Sequence, residues 1–123
     1  MKRLTLAAAL AGGLMLAAGA AQAQSIKPAD QADLECMTLI GLVSEDTEEG
    51  SQDQADLDSV FMFYYGKLVG RTPNVDWLDR LVELTDRADD VWIALVAPRC
   101  MAEMEVMGRD MIAWSEAAAA EGK

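Results

Sequence analysis

The residues from Arg99 to Trp114 read RCMAEMEVMGRDMIAW. Within them Cys100, Met104, Met107, Met111 and Trp114 follow one another at steps of four, three, four and three. An α-helix, with 3.6 residues per turn, brings such positions onto one face, whereas a strand would scatter them over both. Three roles fit a face of this composition. Methionine is a flexible filler of irregular cores, and this is the main apolar face of the segment, so core packing is the first expectation. A methionine-rich face can also repack around varied apolar partners if it becomes exposed. Thioethers favour cuprous copper, but a copper site needs several sulfurs converging on one accessible point. The chain has no histidine, so zinc and cupric ions lack their commonest ligand. We therefore assign no metal or cofactor site.

Outward from this stretch the helical period continues. Pro28 suits the first turn of a helix that runs to about Ser44, with Ala29, Ala32, Cys36, Leu39, Ile40 and Val43 on one face. The acidic run from Glu45 to Gly50 ends it. Ser51 is placed to cap a second helix, with Gln54 completing a capping box. Leu57, Val60, Phe61, Tyr64 and Leu68 then recur at helical spacing up to a break at Gly70-Arg-Thr-Pro-Asn74. Gly66 inside that run points to a close helix neighbour. A third helix, capped by Thr72 or Asn74, turns Trp77, Leu78, Leu81 and Val82 inward. Asp86 to Asp90 interrupts the pattern. Val91 to Ala97 has a strand-like content of β-branched residues, but no second such segment exists to pair with it, so we read a short helix ending at Pro98. The last helix runs from Arg99 to about Ala119. The expected fold class is all-α, a single small domain of four or five helices.

The chain has 123 residues, 21 acidic and 10 basic. Its start, Met1-Lys-Arg followed by an apolar run from Leu4 to Ala21 and by Ala21-Gln-Ala23, has the form of a secretory signal cut after Ala23. We expect residues 1–23 to be a signal peptide, residues 24–123 the helical domain, and the location to be the periplasm or the exterior. Removing Lys2 and Arg3 leaves 8 basic against 21 acidic side chains, a net charge of −13. That field repels phosphate, which argues against nucleic acid and against docking on an anionic membrane, and no stable membrane insertion is expected after cleavage. The two cysteines, Cys36 and Cys100, both follow the cut. An even pair in an oxidising compartment points to a disulfide; two separate buried thiols are the alternative.

No residue is assigned a catalytic role. Without histidine, Ser-His and Cys-His nucleophilic pairs are ruled out, and with this many acids carboxylate pairs at helical spacing arise by chance. There is no Gly-rich phosphate loop in residues 24–123. The most distinctive local chemistry is Tyr64-Tyr65-Gly66-Lys67-Leu68-Val69-Gly70-Arg71. One of two adjacent tyrosines can be buried while the other meets solvent. Lys67 and Arg71, four apart, form the strongest positive spot in an acidic chain. They either stabilise a helix carboxyl end or, with Tyr65, form a contact surface for an acidic group on a protein partner.

With Phe63 in front, this aromatic–glycine segment resembles that of small uncharacterised secreted proteins of alphaproteobacteria, which have a signal peptide, an early cysteine and a late cysteine in a final helix. The layout is also similar to that of the acid-stress chaperones of the bacterial periplasm related to HdeA. The likeness implies a small helical fold with one disulfide, here Cys36 to Cys100. It implies a homodimer that separates in acid to expose apolar surface, and unfolded polypeptides as clients. This chain departs from that pattern in the spacing of its cysteines, 64 positions apart, and in its strongly acidic charge. The expected function is thus periplasmic binding or stress protection, as an acid-responsive chaperone. A partner-specific interaction module is the alternative.

Overall fold

Four helices account for nearly all of residues 25–122, the part of the chain that the computed structural model describes. They are α1 (Pro28–Glu45), α2 (Gln52–Arg71), α3 (Trp77–Thr85) and α4 (Asp90–Ala120), and there is no strand among the described residues. The expected signal peptide lies outside the described residues. None of these helices is long and apolar enough to cross a membrane.

The helix starts follow local chemistry. Pro28 occupies the first turn of α1, where its missing N–H costs nothing. Ser51 accepts from the Gln54 backbone N–H at 3.1 Å, and the Gln54 side chain reaches back to the Gly50 N–H at 2.7 Å. Gly50, at φ +76°, makes the turn between α1 and α2 in a conformation that favours glycine. Asp76, rather than Thr72 or Asn74, caps α3 by accepting from Asp79 N–H, and Asp89 caps α4 by accepting from Trp92 N–H.

The central element is α1. It buries Leu34, Met37, Leu39 and Ile40, together with Cys36, Thr38 and the acids Asp30 and Asp33. Tyr64 and Leu68 of α2, Trp77 of α3, and Val96 and Cys100 of α4 complete the core around it. The Cys36–Cys100 disulfide is present, with S–S 2.03 Å and Cα atoms 5.5 Å apart.

The structure changes several expectations. The segment Val91–Ala97 and the last helix are one element, for α4 passes through Pro98 without a break. Proline there removes a single backbone donor, and packing of Val96, Ala97 and Cys100 on either side holds the helical path. The described residues thus form four helices, within the expected four or five. Among the described residues, none comes within 4 Å of where a Cβ of Gly66 would stand, so no described helix approaches it closely. Leu78 and Val82 of α3 are exposed, leaving Trp77 as its buried anchor. Ala29 and Val43 are exposed as well, because the buried face of α1 is turned toward Asp30 and Asp33.

The largest correction concerns the methionine stripe. Only Cys100 is buried; Met104 and Met107 are half-buried, while Met111 and Trp114 are 66% and 74% exposed. The reason is length. At 1.5 Å per residue, α4 with its 31 residues extends roughly 46 Å and α1 with 18 roughly 27 Å. Among the described residues, α1 is the one helix that brings a Cα within 8 Å of a Cα of α4. Its second half therefore runs on past the body as an arm, and the apolar stripe goes with it.

Candidate functional site

Two features of this fold have chemistry to offer: a buried ionic cluster and the apolar groove along the arm. The cluster starts from Asp30 and Asp33, three residues apart on the inner face of α1 and almost fully buried. Arg71, at the end of α2, spans both: Nη1 donates to Asp30 Oδ1 and Nη2 to Asp33 Oδ2, each at 2.6 Å. The Thr72 hydroxyl donates to the other Asp30 oxygen at 2.7 Å. One turn back on α2, Lys67 Nζ bonds Asp33 at 2.6 Å and Glu103 of α4 at 2.8 Å. The cluster thus joins three helices. Trp77 donates its indole N–H to the Thr72 carbonyl at 3.0 Å, which draws α3 in behind it.

The electrostatics follow from this geometry. Burial pushes the Asp30 carboxyl upward, but the Thr72 hydroxyl and the Arg71 guanidinium outweigh it and hold the group below the usual carboxylate range. Burial works against the charge of Lys67, yet Asp33 and Glu103 raise its pKa overall. Asp33 and Asp30 likewise raise that of Arg71. Nearby, Tyr64 is fully buried edge-on to Phe63, and its hydroxyl has no hydrogen-bond partner among the described residues. Burial, with Glu103 next in effect, raises its pKa.

The three residues considered for a partner surface are therefore placed as follows. Tyr65 is half-buried and packs against the core, while its neighbour Tyr64 lies inside it. The charged ends of Lys67 and Arg71 are engaged by the chain's own carboxylates. Composition gave no hint of which two acids among 21 would be buried, so sequence reasoning missed Asp30 and Asp33. A signal was present nonetheless: Asp30 stands four residues before Leu34 and Asp33 four before Met37, and Lys67 and Arg71 stand three after Tyr64 and Leu68.

The second feature is an open groove of about 800 Å³. Phe63 of α2 lines it at one place, and Val106, Met107, Met111 and Trp114 of α4 supply most of its apolar wall. Its two charged lining residues, Glu103 and Asp110, are both acidic. Glu103 belongs also to the ionic cluster, so the groove begins where the cluster ends. A second clamp lies beside the disulfide, where Arg99 donates to Glu35 at 2.8 Å and to the Ala32 carbonyl. No cluster of three or more Cys, Asp or Glu suited to a metal ion occurs among the described residues. The arrangement offers an adaptable apolar trough attached to a body held by titratable contacts. Among protein-family models, curated proteins and solved structures, none matches this chain.

Proposed function

We propose that this is a periplasmic or secreted binding protein with a stress-protection role, which takes apolar segments of unfolded polypeptides into the groove of α4 and responds to acid. One observation carries the reading. The stripe that begins in the core at Cys100 continues outward to Met111 and Trp114, and Ile112 beside it is 60% exposed. Soluble domains seldom leave a contiguous apolar surface open unless something binds there. Methionine suits clients of many shapes, because its unbranched side chain repacks at little cost.

The ionic cluster supports the acid response. The folded-state pKa of Asp30 lies below its ordinary value. Its stabilising contribution is therefore complete above the unfolded pKa and is lost as the pH falls through the folded one. Loss of the Asp30 charge then loosens its contact with Arg71, which holds the end of α2 to α1, while the disulfide keeps α1 and α4 joined. Because Phe63 of α2 lines the groove, a loosened α2 widens it. Over the same range residues 24–123 pass from a net charge of −13 toward about +8, so self-repulsion vanishes and then returns with opposite sign.

The test is protection of an unfolded client from aggregation, measured from pH 7 to about pH 2 alongside binding of an apolar dye. Protection and dye binding should both grow as the carboxylates titrate, below about pH 4. A chain that binds neither dye nor client at any pH ends this reading.

A further inference from the structure

Resting on the binding role proposed above, we infer that the preferred occupant of the α4 groove is a cationic amphipathic helix, with apolar anchors on one side and Lys or Arg on its flanks. The shape comes first. Met104, Met107, Met111, Trp114 and Ala118 alternate steps of three and four, the spacing at which a second helix packs its own apolar row. An extended peptide can lie in the groove with its backbone facing water, but it gains no backbone hydrogen bonds from this chain, because the described residues contain no strand edge. A helix satisfies its backbone internally and asks the groove only for apolar contact.

Charge selects the kind of helix. The charged residues lining the groove, Glu103 and Asp110, are both acidic. Lys67 offsets Glu103, but the Asp110 side chain has neither an ion pair nor a hydrogen bond among the described residues. The exposed indole of Trp114 offers a ring face on which an ammonium or guanidinium can sit. Behind these local groups stands the field of a chain with 21 acids, which draws cations and repels anions before contact. The same field disfavours a second copy of this chain, which would set Glu103 and Asp110 against their like. On α4 itself, Arg99 and Arg109 are already paired with Glu35 and Glu105.

Binding of fluorescently labelled synthetic helices of about 16 residues, roughly 24 Å long, tests this by anisotropy at pH 7. One peptide combines Leu with Lys; its match replaces every Lys by Glu. The Leu/Lys peptide should bind, weaken as salt is raised, and lose affinity roughly threefold to tenfold on Asp110→Lys. Asp110 is exposed, so that variant should fold, which its circular dichroism checks. Met111→Asp should abolish binding. Equal binding of the two peptides overturns the cationic preference and leaves the general binding role standing. So does client protection without binding of either peptide. Sedimentation as a dimer with Trp114 shielded from a soluble quencher assigns the groove to a second copy and overturns the inference. Failure of peptides, dye and clients together removes both the inference and the role beneath it.

Discussion

Replacing Arg71 by leucine removes two 2.6 Å bonds to carboxylates whose side chains are 1% and 6% exposed. Asp33 keeps Lys67, but among the described residues Asp30 is left with the Thr72 hydroxyl as its hydrogen-bond partner. Stranding one member of a fully buried ion pair costs about 3–5 kcal/mol. The Arg71 side chain is 34% exposed, so water already screens part of the interaction, and about 2–3 kcal/mol is the expected loss at pH 7. At roughly 4–8 °C per kcal/mol for a domain of this size, melting should fall by about 8–24 °C. The pH dependence separates this cause from simple loss of packing. In the native protein the Asp30 contribution is complete above the unfolded pKa and disappears as the pH falls through the lowered folded value. In the variant, burial without the guanidinium pushes the Asp30 pKa up instead, so acid relieves the stranded charge. The gap between the two melts should accordingly be widest at pH 7 and narrow steadily toward pH 2. Arg71→Lys, which keeps the charge but not the two-pronged grip, should fall between them. Thermal and urea unfolding across one pH series reads all three proteins. An Arg71→Leu melt equal to the native one at pH 7, or a gap that does not close in acid, refutes the reasoning.

Other outcomes follow from single features. Reducing the Cys36–Cys100 bond, whose partners lie 64 residues apart, should cost about 4 kcal/mol on the chain-entropy relation and move the acid transition to higher pH; identical melts with and without reductant would contradict this. Tyr64→Phe removes a buried hydroxyl that has no partner among the described residues, so stability should be unchanged or rise by up to about 1 kcal/mol, and a clear loss in a urea melt would mean that the hydroxyl is bonded. Met111→Asp should change stability by less than about 0.5 kcal/mol while dye binding disappears; a cooperative melt lowered by several kcal/mol would return the stripe to the core.

The parts of the fold legible in the sequence are those written locally. Pro28 and Ser51 mark helix starts through interactions within one turn, and Cys36 and Cys100 announce each other by number and setting. The face of α2 from Val60 to Leu68 is legible for the same reason, since helical period and burial agree there. Continuity through Pro98 was not legible, because packing on both flanks decided it against a local preference for a break. The outward course of the methionine stripe was hidden by a different cause. Periodicity says which residues share a face, but whether that face meets a neighbour depends on the length of α1, which ends before α4 does. The groove was visible as a stripe, and its exposure was not. Lys67 and Arg71 were visible as a pair of cations, whereas their partners Asp30 and Asp33 were lost in the crowd of acids.

The cross-link at Cys100 lies in the first half of α4, so most of the helix that follows is fastened at one end only. Amide protons on the buried face of α1 exchange with solvent through large openings of the body, whereas those near the carboxyl end of α4 need only a local helix–coil opening. The alanines from Ala117 to Ala120 favour the helical state, but a segment so short holds it only marginally by itself. Unfolding of this chain should therefore not be one event. In a Trp92→Phe, Trp114→Phe variant that keeps Trp77 as its one tryptophan, far-ultraviolet circular dichroism, which counts every helical residue, should begin to fall before the fluorescence of buried Trp77 reports any change. The same separation bears on finding ligands. A molecule that grips mainly the projecting segment stiffens a part that contributes little to global cooperativity, so a thermal-shift screen would understate its affinity. Slowed hydrogen exchange between Val106 and Ala120 would record the binding directly.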